Sequence, residues 1–411
     1  MPVNGSKTAV ARLLIAAACA TAIGCASAPG WQRQMETAVA AYQQGRYGAA
    51  EATLRDAVAR AERFGPDDPR LAASLNALAL TYVAQGRVAE AEPLYRRALG
   101  IRERALGPEH PDVVTSLNNL AGLYAFEKRL ADAEPLYRRA LRINEKTVGG
   151  EDPSTVVILK NLASLYVGQA RYRDAEPFYR RVLAIREKAL GPEHPDLAIE
   201  LNNLGEIYRL EGDAARAEPL YRRAVAIRER APGGTGPLLA IVLKNLADLY
   251  AAQGRYAEAE PLYERVLAIR AAALGPTHPD LAASLGDLAQ IHVLRGTPAR
   301  AEPLYRRALD IRERAFGPRD LRVAASPHAL AHFYAQEGRL AEAEPLYRRA
   351  LGIREAAVGP DYPGLAPTLE DLAQLLRAAG READARAVEA RLEKIRPGGA
   401  PAGGGARGGT R

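Results

Sequence analysis

Cysteine is nearly missing: only Cys19 and Cys25 occur in 411 residues, both inside the first 25. The remainder can hold neither a disulfide framework nor a cysteine-ligated metal, so it must be stabilised by packing alone. Phe occurs five times and Trp once against 18 Tyr, and the apolar-polar alternation of half-buried strands is scarce. The single marked apolar run, Leu13 to Ile23, is too short to span a bilayer. A strong excess of one charge sign is missing too. The formal +7 falls to +5 without Lys7 and Arg12, a mild bias toward acidic surfaces and no nucleic-acid footprint. There is no phosphate-cradling Gly-rich loop ahead of a helix, no nucleophile elbow and no carboxylate pair distinct from the repeated surface charges. We therefore expect no catalytic residue, no cofactor and no small-molecule substrate.

What is abundant is Ala, Leu, Arg and Glu, arranged in a strict repeat. Ala-Glu-Pro-Leu-Tyr starts at Ala91 and returns at Ala133, Ala217, Ala259, Ala301 and Ala343, with a Phe version at Ala175, always in steps of 42 residues. Degenerate copies stand at Ala385 and, one residue out of phase, near Ala50. Within a unit, Leu117, Leu120, Ala121 and Tyr124 fall at i, i+3, i+4 and i+7, one face of a helix. A second stripe runs from Ala133 through Leu136, Tyr137, Ala140 and Ile143. Gly86, Gly212, Gly254, Gly296, Gly338 and Gly380 sit between the two stripes and suit a left-handed turn. Each unit is thus a helix hairpin. In the link Leu106 to Asp112, Gly107 and Pro108 end one helix, while Pro111 and Asp112 suit the first turn of the next. Pro93 and its repeats fit no such place, because proline is tolerated only in a first helical turn.

These residues resemble the tetratricopeptide repeat, in the 42-residue form of kinesin light chains. The resemblance rests on Leu117, Leu120, Ala121, Tyr124, Ala133, Tyr137, Ala140 and the Leu-Gly-Pro-Glu-His-Pro-Asp link. It implies an all-α, right-handed superhelical solenoid of about nine helix-turn-helix pairs over residues 31–395. Small Ala133 and Ala140 let helices approach, and Leu120 and Tyr137 fill the gaps between hairpins. Trp31, Met35 and Tyr42 belong to the first hairpin, and Arg386, Glu389, Arg391 and Glu393 read as a solubilising cap on the last helix. Pairs such as Glu92 with Arg96 read as solvating charges on the second helix.

The two ends differ from this body. Residues 1–24 resemble a bacterial lipoprotein signal peptide, with Lys7 and Arg12 before the apolar run and Gly24 before Cys25. Ala22 departs from the leucine usual three residues before the cysteine. The resemblance implies a diacylated Cys25, a short linker over 25–30, and, with Ala26 rather than Asp following, an outer-membrane location facing the periplasm. The alternatives are a plain secretory signal cut after Ala28, although Pro29 would then follow the scissile bond, an uncleaved anchor, or an intracellular adaptor whose N-terminus is not processed. Residues 396–411, rich in Gly, Pro and Ala, are expected to form a disordered tail.

Function is expected on the first helices, which line the concave face of such solenoids. One row there reads Asn119, Asn161, Asn203, Asn245 and Asp287, and its neighbour reads Asn76, Asn118, Lys160, Asn202, Lys244, Gly286, His328 and Glu370. Asparagine is a poor helix former, and its amide offers both a donor and an acceptor to an extended peptide. In kinesin light chains the matching Leu-Asn-Asn-Leu segment lines a peptide groove, which implies the same role here. The bland alternative is a ladder of bonds between adjacent helices. Lys160 and Lys244 toward the middle, with Asp287, Glu370 and Asp371 toward the end, would suit a ligand with an acidic segment and a basic flank. His110, His194 and His278 read as turn or cap residues, and His292 as core. His328 and His332 have the spacing of two metal ligands, with no third to complete a site. The expected partners are proteins or peptides, plus a membrane reached through the lipid, with no nucleic acid. Glycan binding would need aromatic residues on the groove, whereas the tyrosines fall at packing positions.

Overall fold

The computed structural model describes residues 29–395; residues 1–28, with the expected signal peptide and Cys25, and the expected tail over 396–411 lie outside the described residues. Eighteen α-helices follow one another in consecutive helix-turn-helix order, with no strand among the described residues. They divide into two compact units, one ending at Asp213 and one beginning at Ala214. The first unit holds α1 (Pro29–Gln43), α2 (Tyr47–Glu62), α3 (Pro69–Ala84), α4 (Val88–Leu106), α5 (Pro111–Phe126), α6 (Leu130–Val148), α7 (Thr155–Gly168), α8 (Tyr172–Leu190) and α9 (Leu197–Leu210). The second holds α10 (Ala214–Arg230), α11 (Pro237–Ala252), α12 (Tyr256–Leu274), α13 (Leu281–Leu294), α14 (Pro298–Phe316), α15 (Ala325–Gln336), α16 (Leu340–Val358), α17 (Ala366–Ala378) and α18 (Glu382–Ile395). None of these helices is long and apolar enough to cross a membrane.

The repeated apolar residues are the core. Leu117, Ala121, Ala133 and Ala140 are fully buried, and Leu120, Tyr124 and Tyr137 nearly so. Each large side chain so buried contributes about 1.5 to 3 kcal/mol. In the first unit a single apolar cluster runs from Trp31 to Ile207, so each hairpin is stabilised by its neighbours. Trp31 starts it, its indole N–H donating to Ser74 Oγ at 2.8 Å.

The turn chemistry follows the sequence closely. Gly86 closes α3 with φ +80°, and its equivalents are also left-handed. Lys128 (φ 64°) and Ala170 (φ 56°) hold the same conformation without being glycine. At the links, Gly107 ends α4, Pro111 begins α5, and His110 Nδ1 accepts the Asp112 N–H at 3.2 Å. His194 and His278 repeat that cap. Pro93 and its repeats lie inside the second helices, one and a half turns in, where each lacks the N–H that would have reached the carbonyl four residues back.

The Glu92–Arg96 pairs do more than solvate a helix. Glu92 is only 18% exposed and accepts from Arg129 of the following hairpin at 3.1 Å. The full network is plain one repeat later. Tyr166 donates to Glu134 at 2.9 Å and accepts from Arg138 at 2.7 Å, while Arg171 bonds Glu134 and lies 4.5 Å from the Tyr166 ring centre. A second bridge is Arg139, which reaches back to Glu103 at 2.6 Å and to the Pro108 carbonyl at 2.7 Å. The same correction applies at the C-terminal end. Arg386 and Glu393 are exposed as a cap requires, but Arg391 pairs with Glu355 and Glu389 with Arg377.

Candidate functional site

The first helices of the hairpins, α3, α5, α7 and α9 in the first unit, carry the two polar rows, because the apolar i, i+3, i+4, i+7 stripe turns the intervening positions away from the core. The structure divides those positions into bonded and unspent groups. Asn118 is 8% exposed, and its Oδ1 accepts from Asn161 Nδ2 on the next first helix at 2.8 Å. Asn76, one hairpin earlier, is likewise buried and donates to Ser116 Oγ at 3.1 Å. Asn202 and Asn245 are also engaged within the chain. Asn119 and Asn203 are half-buried and make no side-chain hydrogen bond among the described residues. The row therefore does two jobs: some amides tie helices together and others are left with donor and acceptor open.

The lysines are not free. Lys160 Nζ lies 3.2 Å from Glu200 Oε1, whose side chain is 3% exposed, and Arg186 approaches the same oxygen at 3.9 Å. In the second unit Lys244 Nζ lies 2.9 Å from Asp248 and 3.4 Å from Asp287. Burial opposes its charge, but these two carboxylates hold its pKa above the ordinary lysine value. Asp287 is pushed up from the ordinary aspartate value, first by burial and further by Asp248, with Lys244 opposing. A ligand with an acidic segment would find both lysines already neutralised.

Asp287 borders a cleft of about 310 Å³ in the second unit, formed by α13, α14 and α15. Tyr305 lines it and donates to Gln290 at 3.1 Å; burial and Asp287 push the phenol up to about 12. Arg312 lines it as well and donates to Ser326 at 2.9 Å.

The histidines are all locally committed. His292 is buried at the place of Tyr124 and faces Thr297 Oγ1 at 3.3 Å. His328 Nε2 stands 3.0 Å from Asp371 without hydrogen-bond geometry, and burial, then Arg354, lower its pKa. His332 meets Tyr347 at 3.3 Å through Nδ1 and Gln336 at 3.1 Å through Nε2. Among the described residues no group of three His, Cys, Asp or Glu side chains could hold a metal.

Two features escaped the sequence reading. Second helices send a half-buried or buried arginine to a hydroxyl on the next first helix, as Arg102 does to Ser116 at 2.9 Å and Arg270 to Ser284 at 2.6 Å. The constant 14-residue spacing was the available signal. Ile199 in the first unit and Ile241 in the second are 41% and 46% exposed, on first helices at the place held by Thr115. They put apolar surface beside the polar rows.

The sequence profile of the tetratricopeptide repeat matches residues 35–104, 81–146, 112–188, 154–230, 196–272, 238–314 and 322–397. BtubC of P. vanneervenii is a similar solved structure, 31% identical over 55% of this chain and 91% of that one, with a TM-score of 0.48. A kinesin-light-chain-like protein of P. anserina with nearly identical repeats is 30% identical over 50% and 98%, with a TM-score of 0.46. The quorum sensor NprR of B. thuringiensis, 13% identical over 89% and 98% with a TM-score of 0.54, shares the fold. Comparison with curated protein sequences returns no match. With the profile covering almost the whole described chain, the protein belongs to the tetratricopeptide repeat family.

Proposed function

We propose that the chain is a non-catalytic scaffold that holds partner proteins by extended segments laid on its first helices, and that a lipid on Cys25 tethers it at the outer membrane, facing the periplasm. The observation that carries the binding half is the pair Asn119 and Asn203, whose amides are open while their neighbours are bonded. An open amide matches the alternating donors and acceptors of a peptide backbone. Ile199, exposed on the same helix as Asn203, adds apolar contact. Tetratricopeptide repeats are a fold typical of interaction scaffolds, and a stack of near-identical hairpins offers area rather than one reactive centre. The tether rests on the leader alone: Lys7 and Arg12, the short apolar run, and Gly24-Cys25.

Affinity capture from envelopes tests the binding half, comparing the wild-type protein with an Asn119→Ala, Asn203→Ala variant. Neither substitution breaks an intramolecular side-chain bond, so helicity should persist while one specific captured protein is lost. An unchanged set of captured proteins would contradict the reading.

A further inference from the structure

In the polar row of the first helices, one position has no side chain. Where Asn118, Lys160, Asn202 and Lys244 stand in their repeats, α13 has Gly286. A Cβ placed there would meet nothing within 4 Å, so no close approach of another backbone explains the glycine. In the interior of a helix it costs about 1 kcal/mol relative to alanine. It lines the cleft of about 310 Å³, together with the small side chains of Ala283, Ala325 and Ala329. A cavity of about 150 Å³ is enough to bind benzene, so this one has room for an indole or phenyl ring and the backbone that bears it.

The rim is asymmetric in charge. Asp287, next to Gly286, shares the single ammonium of Lys244 with Asp248, at 3.4 and 2.9 Å. Two carboxylates thus share one ammonium; burial is the main cause of the raised Asp287 pKa, Asp248 adds to it, and Lys244 and Arg270 oppose it. The arginines nearest by sequence register are already placed on hydroxyls, Arg270 on Ser284 and Arg312 on Ser326.

We propose that this cleft is a side-chain pocket on the peptide-binding face, taking one bulky apolar residue of the bound segment while a neighbouring basic residue reaches Asp287. It rests on the reading of the first helices as a peptide-binding face, and adds what the peptide must carry.

The test uses four fluorescein-labelled decapeptides in a Gly/Ser/Thr frame that differ only in their two central residues: Trp-Arg, Trp-Glu, Ala-Arg and Ala-Glu. Binding to the full chain is read by anisotropy. Trp-Arg should bind at least about tenfold more tightly than Ala-Arg or Trp-Glu. Gly286→Leu fills the cleft with a better helix former, so it should fold, and it should erase the Trp preference while leaving Ala-Arg unchanged. Asp287→Asn should erase the preference for Arg over Glu. Equal affinity for all four peptides, no binding of Trp-Arg, or a Trp preference that survives Gly286→Leu would overturn the pocket. The Asn119→Ala, Asn203→Ala variant lies in the other unit and separates the two ideas. Partner loss there, with a failed Trp preference, removes the pocket and keeps the face; unchanged capture removes the face itself.

Discussion

At the scale of single residues, the repeated tyrosine is the most instructive position. Its ring was legible as core from the i, i+7 spacing, and Tyr124 and Tyr166 are buried as that requires. Its hydroxyl was not legible, because the bonds to Glu134 and Arg138 depend on how one hairpin sits against the next. Replacing Tyr166 by Phe keeps the ring and should cost about 1 kcal/mol in denaturant unfolding; no loss would mean the network is only a surface ornament. The carboxylates of these networks also predict a pH dependence. Bonding by Arg255 lowers the Glu218 pKa, and bonding by Arg339 lowers that of Glu302, burial opposing in both cases. A depressed folded-state pKa means stability that is complete above the unfolded value near 4.5 and is lost as pH falls through the lower folded value. Unfolding midpoints measured between pH 7 and pH 3 should therefore fall at the acid end, and a Glu218→Gln, Glu302→Gln variant should fall less steeply. The asparagine rows show the limit of residue-level reading. The 42-residue register placed them on one face, but whether an amide is bonded, as in Asn118, or open, as in Asn119, is set by the offset of adjacent helices.

At the scale of the hairpin, boundaries were readable because they are written in glycine, proline and histidine. Gly107, Pro111 and His110 each do in the structure what the link implied. Two turns break the glycine rule, with Lys128 at φ 64° and Ala170 at φ 56°. A side chain in that conformation costs roughly 1 kcal/mol. Ala170→Gly should thus raise stability by about that amount, measured by thermal or urea unfolding, while the same exchange at an exposed helical position such as Ala184 should lower it. Equal effects at the two sites would show that the turn is not strained. The proline inside each second helix could not be placed from sequence, since its N–H would be missing from the helix ladder wherever it sat beyond the first turn.

At the scale of the whole chain, the repeat predicts what to build and the ends predict where it is held. Nearest-neighbour packing needs no special centre, which is why the 42-residue period made the helical order legible while leaving the partner unnamed. The tether is a separate claim: Cys25→Ala should abolish incorporation of labelled palmitate and release the protein from the membrane fraction. A soluble, full-length cytoplasmic wild-type product would instead support an unprocessed intracellular adaptor. The central claim, that partners are held on the first helices, is tested most directly by site-specific photo-crosslinking in cells. The crosslinker is placed at Asn119, Ile199 or Asn203 on first helices, and at the exposed Arg142 or Arg173 on second helices. The account predicts that one partner band forms from the three first-helix sites and is absent from the other two. A band from Arg142 or Arg173 with none from Asn119, Ile199 and Asn203 would contradict it.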